Sequence, residues 1–280
     1  MTLGSQFTLP FWLMRRFRSV MFVTTSFLSL AAYAVDGVVE INQAKILATG
    51  GFPYVISASG SYRLTSNISV SALPSPANRT AIRLDIGNVV LDLNGFTISG
   101  PVQCNGPSPA TLVCTPTATF VGLGYGITDG GTQRNIVIKN GIVTGMGRDG
   151  IGLTASDQVQ VDNVQATENG GTGIGISAGI IRNSLMYRNG GDGATINYGT
   201  IIASVARGNR GVGLSLLRGL ATDNVADSNG GLGLSIDEVG FSRNVLTGNN
   251  GGNSGVQVGG GISAGQNVCS HAGGLSTVCP

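Results

Sequence analysis

Between residues 163 and 251, hydrophobic and polar positions repeat with a period of about 20 residues. Each unit has an Asn-Gly-Gly-like turn and then two aliphatic residues at alternate positions, as in Ile174 and Ile176. Alternation is typical of a strand, and the recurring Gly and Asn interrupt helices. The pattern therefore predicts short strands joined by tight turns, and it excludes a helical solenoid. The turns are Asn169–Gly171, Asn189–Gly191, Asn209–Gly211, Asn229–Gly231 and Asn249–Gly251.

An all-β parallel β-helix, a solenoid of coils of about 20 residues, fits this repeat. Its coils would stack about 4.8 Å apart, so that equivalent side chains form columns. Each Ile or Leu buried in such a column contributes roughly 1.5–3 kcal/mol. A leucine-rich horseshoe has units of similar length, but the regular Leu framework that it needs is absent. A recurring asparagine predicts a structural ladder of side-chain amides. Its members are Asn163, Asn183, Asn224 and Asn244.

The remaining stretches predict the domain organisation. An N-terminal cap over residues 35–53 contains a short amphipathic helix at residues 40–49, which would cover the open end of the first coil. The parallel β-helix extends over residues 54–268. A Pro-rich loop at residues 100–119 protrudes from it, and residues 269–280 form a C-terminal tail.

Residues 1–34 predict a secretory signal peptide. Three arginines precede the apolar run Val20–Ala31, and Ala32–Ala34 is a small-x-small cleavage site. The run is too short for an ordinary membrane-spanning helix. An alternative start at Met14 would give a more typical signal. We therefore predict an exported protein, periplasmic or extracellular, with no stable membrane span after cleavage.

Composition supports a turn-rich fold and excludes one class of partner. The chain has 46 Gly among 280 residues and only 11% charged residues. It has 16 basic and 14 acidic residues; without the three signal arginines, 13 basic residues remain against 14 acidic ones. Because the mature chain is close to neutral and has no basic stripe, nucleic acid is not predicted as a partner.

The four cysteines form two local pairs, Cys104 with Cys114 and Cys269 with Cys279. In an exported protein, this pattern predicts two disulfides. Each would stabilise the fold by roughly 3 kcal/mol in the loop-entropy model. A zinc site is not predicted, because His271 is the only histidine. The nearest match to a calcium-binding nonapeptide has Ser where a carboxylate is needed. No metal or cofactor is predicted.

The stretch Val89–Ile98 and the Asn-Gly-Gly coils resemble the pectin-lyase-like right-handed parallel β-helix superfamily, and most of all its uncharacterised exported bacterial members. The resemblance implies a right-handed helix. It also implies either polysaccharide lyases, hydrolases, epimerases and esterases, or non-catalytic adhesins and surface proteins. The chain lacks the Gly-His-Gly turn and paired Asp residues of the polygalacturonase-like branch. Acidic residues for a calcium-dependent lyase are thin and scattered.

Aligning the coils gives five candidate site residues. Asp149 and Asp192 occupy the same repeat position two coils apart, and Glu168 and Arg188 share a column in successive coils. Arg148 adjoins Asp149. Stacked charges of this kind would line a shallow groove that holds a glycan. The alternative is solvated turn residues, whose exposed ion pairs contribute less than about 1 kcal/mol.

Three functions are compatible with the sequence. The first is a non-catalytic exported protein that binds or organises extracellular glycans, such as polysaccharide or cell-surface glycan, or other surface partners. The second is a polysaccharide lyase or related carbohydrate-active enzyme with a groove on one face of the helix. The third is a purely structural or assembly component. The missing catalytic motifs favour the first, and the sequence leaves open whether the protein is an enzyme.

Overall fold

A computed structural model describes residues 37–115, 124–250, 252, 255–271, 274–276 and 279. The predicted signal peptide at 1–34, with the alternative start at Met14, lies outside these residues. So do residues 116–119 of the predicted loop.

The chain winds into a parallel β-solenoid of about ten turns, with about 22 residues per coil and very little helix. This confirms the predicted all-β solenoid. The strands are β1 Val38–Ile41, β2 Tyr54–Ile56, β3 Gly60–Leu64, β4 Ile68–Ser69, β5 Ile82–Leu84, β6 Val89–Asp92, β7 Thr97–Ser99, β8 Gln103–Asn105, β9 Val113–Thr115, β10 Ile127–Asp129, β11 Arg134–Thr144, β12 Ile151–Leu153, β13 Asp157–Thr167, β14 Ile174–Arg182, β15 Leu185–Tyr187, β16 Ala194–Ile202, β17 Val205–Arg207, β18 Leu214–Thr222, β19 Val225–Asp227, β20 Leu234–Ser242, β21 Val245–Thr247, β22 Val258–Gly259, β23 Ile262–Ser263, β24 Val268–His271 and β25 Gly274–Ser276.

The predicted aliphatic columns form the core. Ile174 pairs with Ala194, Ala194 with Leu214, and Leu214 with Leu234, each one coil further along the chain. All four side chains are fully buried. We call the strands that share this column the first strand stack. They are β2, β5, β10, β12, β14, β16, β18, β20 and β22.

The asparagines of the Asn-Gly-Gly turns form a buried amide ladder. In each step the side-chain oxygen accepts the backbone N–H and the Nδ2 of the asparagine one coil earlier; Asn209 Oδ1 accepts both from Asn189, at 3.0 and 2.9 Å. The Nδ2 of Asn209 also donates to the backbone oxygen of Met186 at 3.0 Å. Every amide thus has its partners without solvent. The ladder consists of Asn169, Asn189, Asn209, Asn229 and Asn249.

The single ladder predicted for Asn163, Asn183, Asn224 and Asn244 is wrong, because these residues occupy two adjacent columns. Asn163 and Asn183 are exposed and left-handed, with φ of 53° and 52°. Asn224 and Asn244 are 1% exposed, and Asn224 Nδ2 donates to Asn244 Oδ1 at 3.0 Å. They lie one position later in the coil than Asn183. A shift of one residue is enough to turn a side chain from solvent to the interior.

The N-terminal helix is shorter than predicted. Helix α1 covers Gln43–Ala48, and Asn42 caps it by accepting the Lys45 N–H at 2.8 Å. Ile46 is the helix's contribution to the core. Residues 38–41, placed in the cap by the sequence, are strand β1, which pairs in parallel with β3. Within the described part of the chain, no helix is long and apolar enough to cross a membrane.

Both predicted disulfides are present, Cys104–Cys114 and Cys269–Cys279. The first joins β8 to β9 in an antiparallel hairpin. The predicted protruding loop is in fact packed on the solenoid, because Cys104 and Leu112 are 1% exposed in a small cluster with Ala77 and Val102. Near the C-terminus, β24 pairs with β21, so residues predicted as the start of a tail continue the solenoid.

Candidate functional site

A shallow groove lies on the outer face of the first strand stack, across β16, β18 and β20. Core residues such as Leu214 and Leu216 point inward, so the alternate residues of each strand point outward. In successive coils these outward residues are Thr195, Ser215 and Ser235. Two residues further along each strand lie Asn197, Leu217 and Asp237. These six side chains line a cavity of about 220 Å³, which we call the outer groove.

The outer groove combines polar groups with one exposed apolar side chain. Leu217 is 41% exposed and stands between Asn197 and Asp237 in adjacent coils. Three stacked hydroxyls line the same cavity, and each can donate and accept a hydrogen bond. The amide offers both kinds of group, and an ionised carboxylate only accepts. The groove can therefore hydrogen-bond the polar rim of a ligand while Leu217 contacts an apolar surface.

A column of glycines lies beside the groove, two positions beyond Asn197 and Leu217 on their strands. Gly179, Gly199 and Gly219 pair in register with φ of 148°, 149° and 134°. A Cβ at Gly199 would collide with the backbone oxygen of Gly179. Only glycine fits this backbone conformation so close to the next coil. Sequence reasoning missed this column, although the spacing of 20 residues was visible.

Beside the groove, the next residue of each coil forms a rim. Arg218 and Glu238 form an ion pair at 2.6 Å from Nε to Oε2. The Arg218 guanidinium carbon lies 5.8 Å from the centre of the Tyr198 ring, within cation–π range. This rim is exposed and, across Arg218 and Glu238, electrically balanced.

A second polar corner lies on the same face, several coils nearer the N-terminus. The ring of Tyr125 covers Gly152, where an added Cβ would be only 2.6 Å from Tyr125 Cε1. The Arg148 guanidinium carbon lies 5.0 Å from the ring centre. Burial raises the pKa of the Tyr125 phenol; the Arg148 cation opposes this shift, and the Asp149 and Asp129 carboxylates add to it. We call Tyr125 and Arg148 the tyrosine corner.

The structure gives the five predicted site residues different surroundings. Arg148 and Asp149 meet at the tyrosine corner. Asp192 lies in the equivalent turn two coils on. Arg188 instead donates from Nη2 to the backbone oxygen of Cys104 at 2.9 Å, which ties down the disulfide hairpin. Glu168 sits at a left-handed turn with φ of 53°. Among the described residues, no ion pair joins Glu168 to Arg188, so the structure does not bring all five into one site.

Asp149 and Asp192 hold turns between coils. Asp149 Oδ1 accepts the Thr172 N–H, and Asp192 Oδ1 accepts the Val212 N–H, both at 2.8 Å. Burial raises the pKa of both carboxyls above the ordinary value, and the bond from the backbone N–H opposes this shift. A raised pKa in the folded state means that protonation stabilises the fold.

This pKa shift makes a pH-dependent prediction for Asp192→Asn. The stabilising effect of protonation is fully present below the unfolded pKa and is lost as pH rises through the raised folded pKa. Asparagine keeps an acceptor for the Val212 N–H without a charge. We expect Asp192→Asn to be more stable than the parent at pH 7, with the difference shrinking towards acid, as measured by urea unfolding at several pH values.

Asp223→Asn is the control of opposite sign. The Arg243 side chain lowers the pKa of Asp223 through a hydrogen-bonded ion pair, so that carboxylate stabilises the fold above its unfolded pKa. Removing its charge should give no gain at pH 7. Equal gains in both variants would contradict the assignment to burial.

Within the described residues, no three His, Cys, Asp or Glu side chains are grouped closely enough to hold a metal ion. No protein-family model matches the chain, and no curated protein matches it in sequence.

Two solved structures have a similar fold. One is the Azotobacter vinelandii mannuronan C-5 epimerase AlgE4 A-module, with 15% sequence identity and a TM-score of 0.41, covering 77% of this chain and 74% of that chain. The other is the Agl-KA catalytic domain, with 15% identity and a TM-score of 0.36, covering 79% of this chain but only 47% of that chain. Both likenesses concern the fold alone. Membership of the pectin-lyase-like superfamily stays a prediction.

Proposed function

We propose that the protein binds an extracellular glycan without catalysis, and that the sugar lies in the outer groove. The observation that carries the proposal is the mixed lining of that groove. Hydroxyl, amide and carboxylate groups surround the half-exposed Leu217. A sugar ring has the complementary construction, with hydroxyls at its edge and C–H groups on its faces. Sugar hydroxyls both donate and accept hydrogen bonds, as do the groups of Thr195, Ser215 and Asn197.

The repeat along the solenoid also suits a polymer. Each coil presents one hydroxyl and one further side chain to the groove, and adjacent coils are about 4.8 Å apart. A polysaccharide lying along the axis would meet a new set of partners at every coil. Many weak polar contacts of this kind fix orientation, while the apolar contact at Leu217 contributes affinity.

A second candidate, a polysaccharide lyase or related enzyme, is favoured by the tyrosine corner, where Arg148 could neutralise an acidic sugar beside Tyr125 and Asp149. A lyase needs a base whose pKa lies near the working pH. The pKa of Tyr125 is shifted upward, away from a neutral working pH. Burial shifts the pKa of Asp149 upward as well, which would suit a base, but Asp149 Oδ1 is already engaged by the Thr172 N–H. We take the engaged carboxylate as support for binding over proton abstraction.

The proposal predicts that Leu217→Ser weakens glycan binding about tenfold, or about 1.4 kcal/mol. The purified protein would first be applied to an array of extracellular polysaccharides, and affinity for the best ligand would then be measured by calorimetry. Leu220→Ser is the matched control, because Leu220 lies on the same strand with 39% exposure but outside the groove. Its affinity should stay within twofold of the parent.

Three results would count against this function. Equal losses in Leu217→Ser and Leu220→Ser would move the binding site away from the groove. Failure to bind any glycan would favour a structural or assembly role. Release of unsaturated product from uronate polymers, seen by absorbance and abolished by Arg148→Ala, would establish the lyase instead.

A further inference from the structure

Beyond glycan binding itself, we infer that the ligand is an uncharged, linear polysaccharide that runs along the solenoid axis from the outer groove to the tyrosine corner. This inference rests on the proposed function and specifies the chemistry and path of its ligand. Two features of the outer face carry it: the balance of charges and the continuity between the two polar sites.

Two carboxylates of this face form no ion pair among the described residues. Asp237 lines the outer groove, and Asp149 Oδ2 comes within 3.4 Å of where a Cβ on Gly152 would lie. Among the described residues, Arg148 at the tyrosine corner forms no ion pair. The other two guanidiniums are already neutralised by carboxylates. These pairs are Arg83 with Asp85 and Arg218 with Glu238.

This balance disfavours acidic sugars. A uronate polymer carries a carboxylate on each unit and would place negative charges beside Asp149 and Asp237. Like charges brought together at an interface repel each other and select against the wrong partner. A neutral sugar would accept hydrogen bonds from Arg148 and donate hydrogen bonds to the carboxylates. Both kinds of charged group on this face would then have a hydrogen-bond partner in the ligand.

Small residues and threonines connect the two sites. Gly175 lies between Gly152 and Thr195 in the outward column. The side chains of Thr154 and Thr195 lie 3.6 and 3.1 Å from where a Cβ on Gly175 would be. No bulky side chain of the column stands between the tyrosine corner and the groove.

The length of this path sets the size of the ligand. From Gly152 under the Tyr125 ring to Ser215 in the groove there are three coil steps, at Gly175, Thr195 and Ser215. At about 4.8 Å per step the two sites are about 14 Å apart. A single sugar would reach only one of them. A chain that reaches both gains affinity because its second contact is intramolecular.

The first experiment compares polymers of the two charge classes by calorimetry. Mixed-linkage β-glucan and unbranched β-mannan are the neutral probes, and polygalacturonate and alginate are the uronate probes. We expect at least one neutral polymer to bind tenfold or more tightly than either uronate polymer. Asp237→Asn should raise uronate binding, whereas Asp157→Asn, outside the groove in an ion pair with Arg134, should not.

The second experiment measures oligosaccharides of increasing length prepared from the neutral polymer that binds. Affinity should rise steeply once the chain bridges both sites. Arg148→Ala should remove that rise, so that long oligosaccharides bind no more tightly than short ones. Arg134→Ala, which removes an exposed arginine outside the two sites, should leave the whole length series unchanged.

The failures of the inference and of the proposed function are distinguishable. Uronate polymers that bind as tightly as neutral ones, with a loss in Leu217→Ser, would overturn the neutral ligand and keep the glycan groove. A flat length series, or one unchanged by Arg148→Ala, would overturn the path to the tyrosine corner. Absence of binding to both polymer classes would remove the proposed function together with the inference.

Discussion

Replacing Asn209 with alanine is expected to lower the free energy of unfolding by about 3 kcal/mol. Asn209 is fully buried in the middle of the amide ladder. Its Oδ1 accepts both the backbone N–H and the Nδ2 of Asn189, and its Nδ2 donates to the Met186 oxygen and to Asn229 Oδ1. Alanine removes all four bonds and leaves the Asn189 N–H without its acceptor in a site closed to water. Of these losses the unpaired Asn189 N–H is the most costly, because a buried donor without an acceptor has neither a protein partner nor a water partner in the folded state.

The measurement is urea unfolding followed by far-UV circular dichroism. Tryptophan fluorescence does not suit the experiment, because the chain's single tryptophan, Trp12, lies in the predicted signal peptide. Asn183→Gly is the matched control. Asn183 is exposed, its Nδ2 donates to Asp162 Oδ1 at 3.0 Å, and glycine accepts its φ of 52°. Its loss should change stability by less than about 0.5 kcal/mol. Similar losses in the two variants would mean that the buried ladder is not a main source of stability.

The period of the sequence was enough to predict the fold. Alternating aliphatic residues at a fixed spacing must lie on one side of a strand and above one another in successive coils. Ile174, Leu214 and Leu234 do so. The same reasoning misplaced part of the amide ladder. Asn183 and Asn224 are 41 positions apart, and 41 is not a multiple of the 20-residue step. In a strand, an error of one position exchanges solvent for core.

The candidate site was less predictable, for a physical reason. The site was predicted from charged residues, but a charged side chain at a turn often stabilises the turn by bonding to the backbone. Asp149 and Asp192 accept backbone N–H groups of the next coil, and Arg188 holds the disulfide hairpin. The outer groove is made by Leu217 and hydroxyls that carry no distinctive motif. Their common face becomes visible only once the register of the coils is known.

Gly199→Ala should be as damaging as the loss of a ladder asparagine, at about 3 kcal/mol, from backbone strain and overpacking together. Gly199 has a φ of 149°, and a Cβ there would collide with the Gly179 oxygen and lie 2.8 Å from Ile196 Cδ1. The backbone cannot retreat, because Gly199 is paired with Gly179 and Gly219 in the neighbouring coils. The groove residue Asn197 lies two positions away on the same strand, so the displacement of the backbone should also weaken glycan binding.

Gly240→Ala separates this effect from a general cost of losing glycine in a strand. Gly240 lies in β20, has no left-handed φ, and would bring its Cβ no closer than 3.9 Å to Leu220 Cδ1. We expect its urea midpoint to stay within the change typical of a surface substitution, about 0.5 kcal/mol. If Gly199→Ala were equally mild, the bend at the glycine column would not depend on glycine.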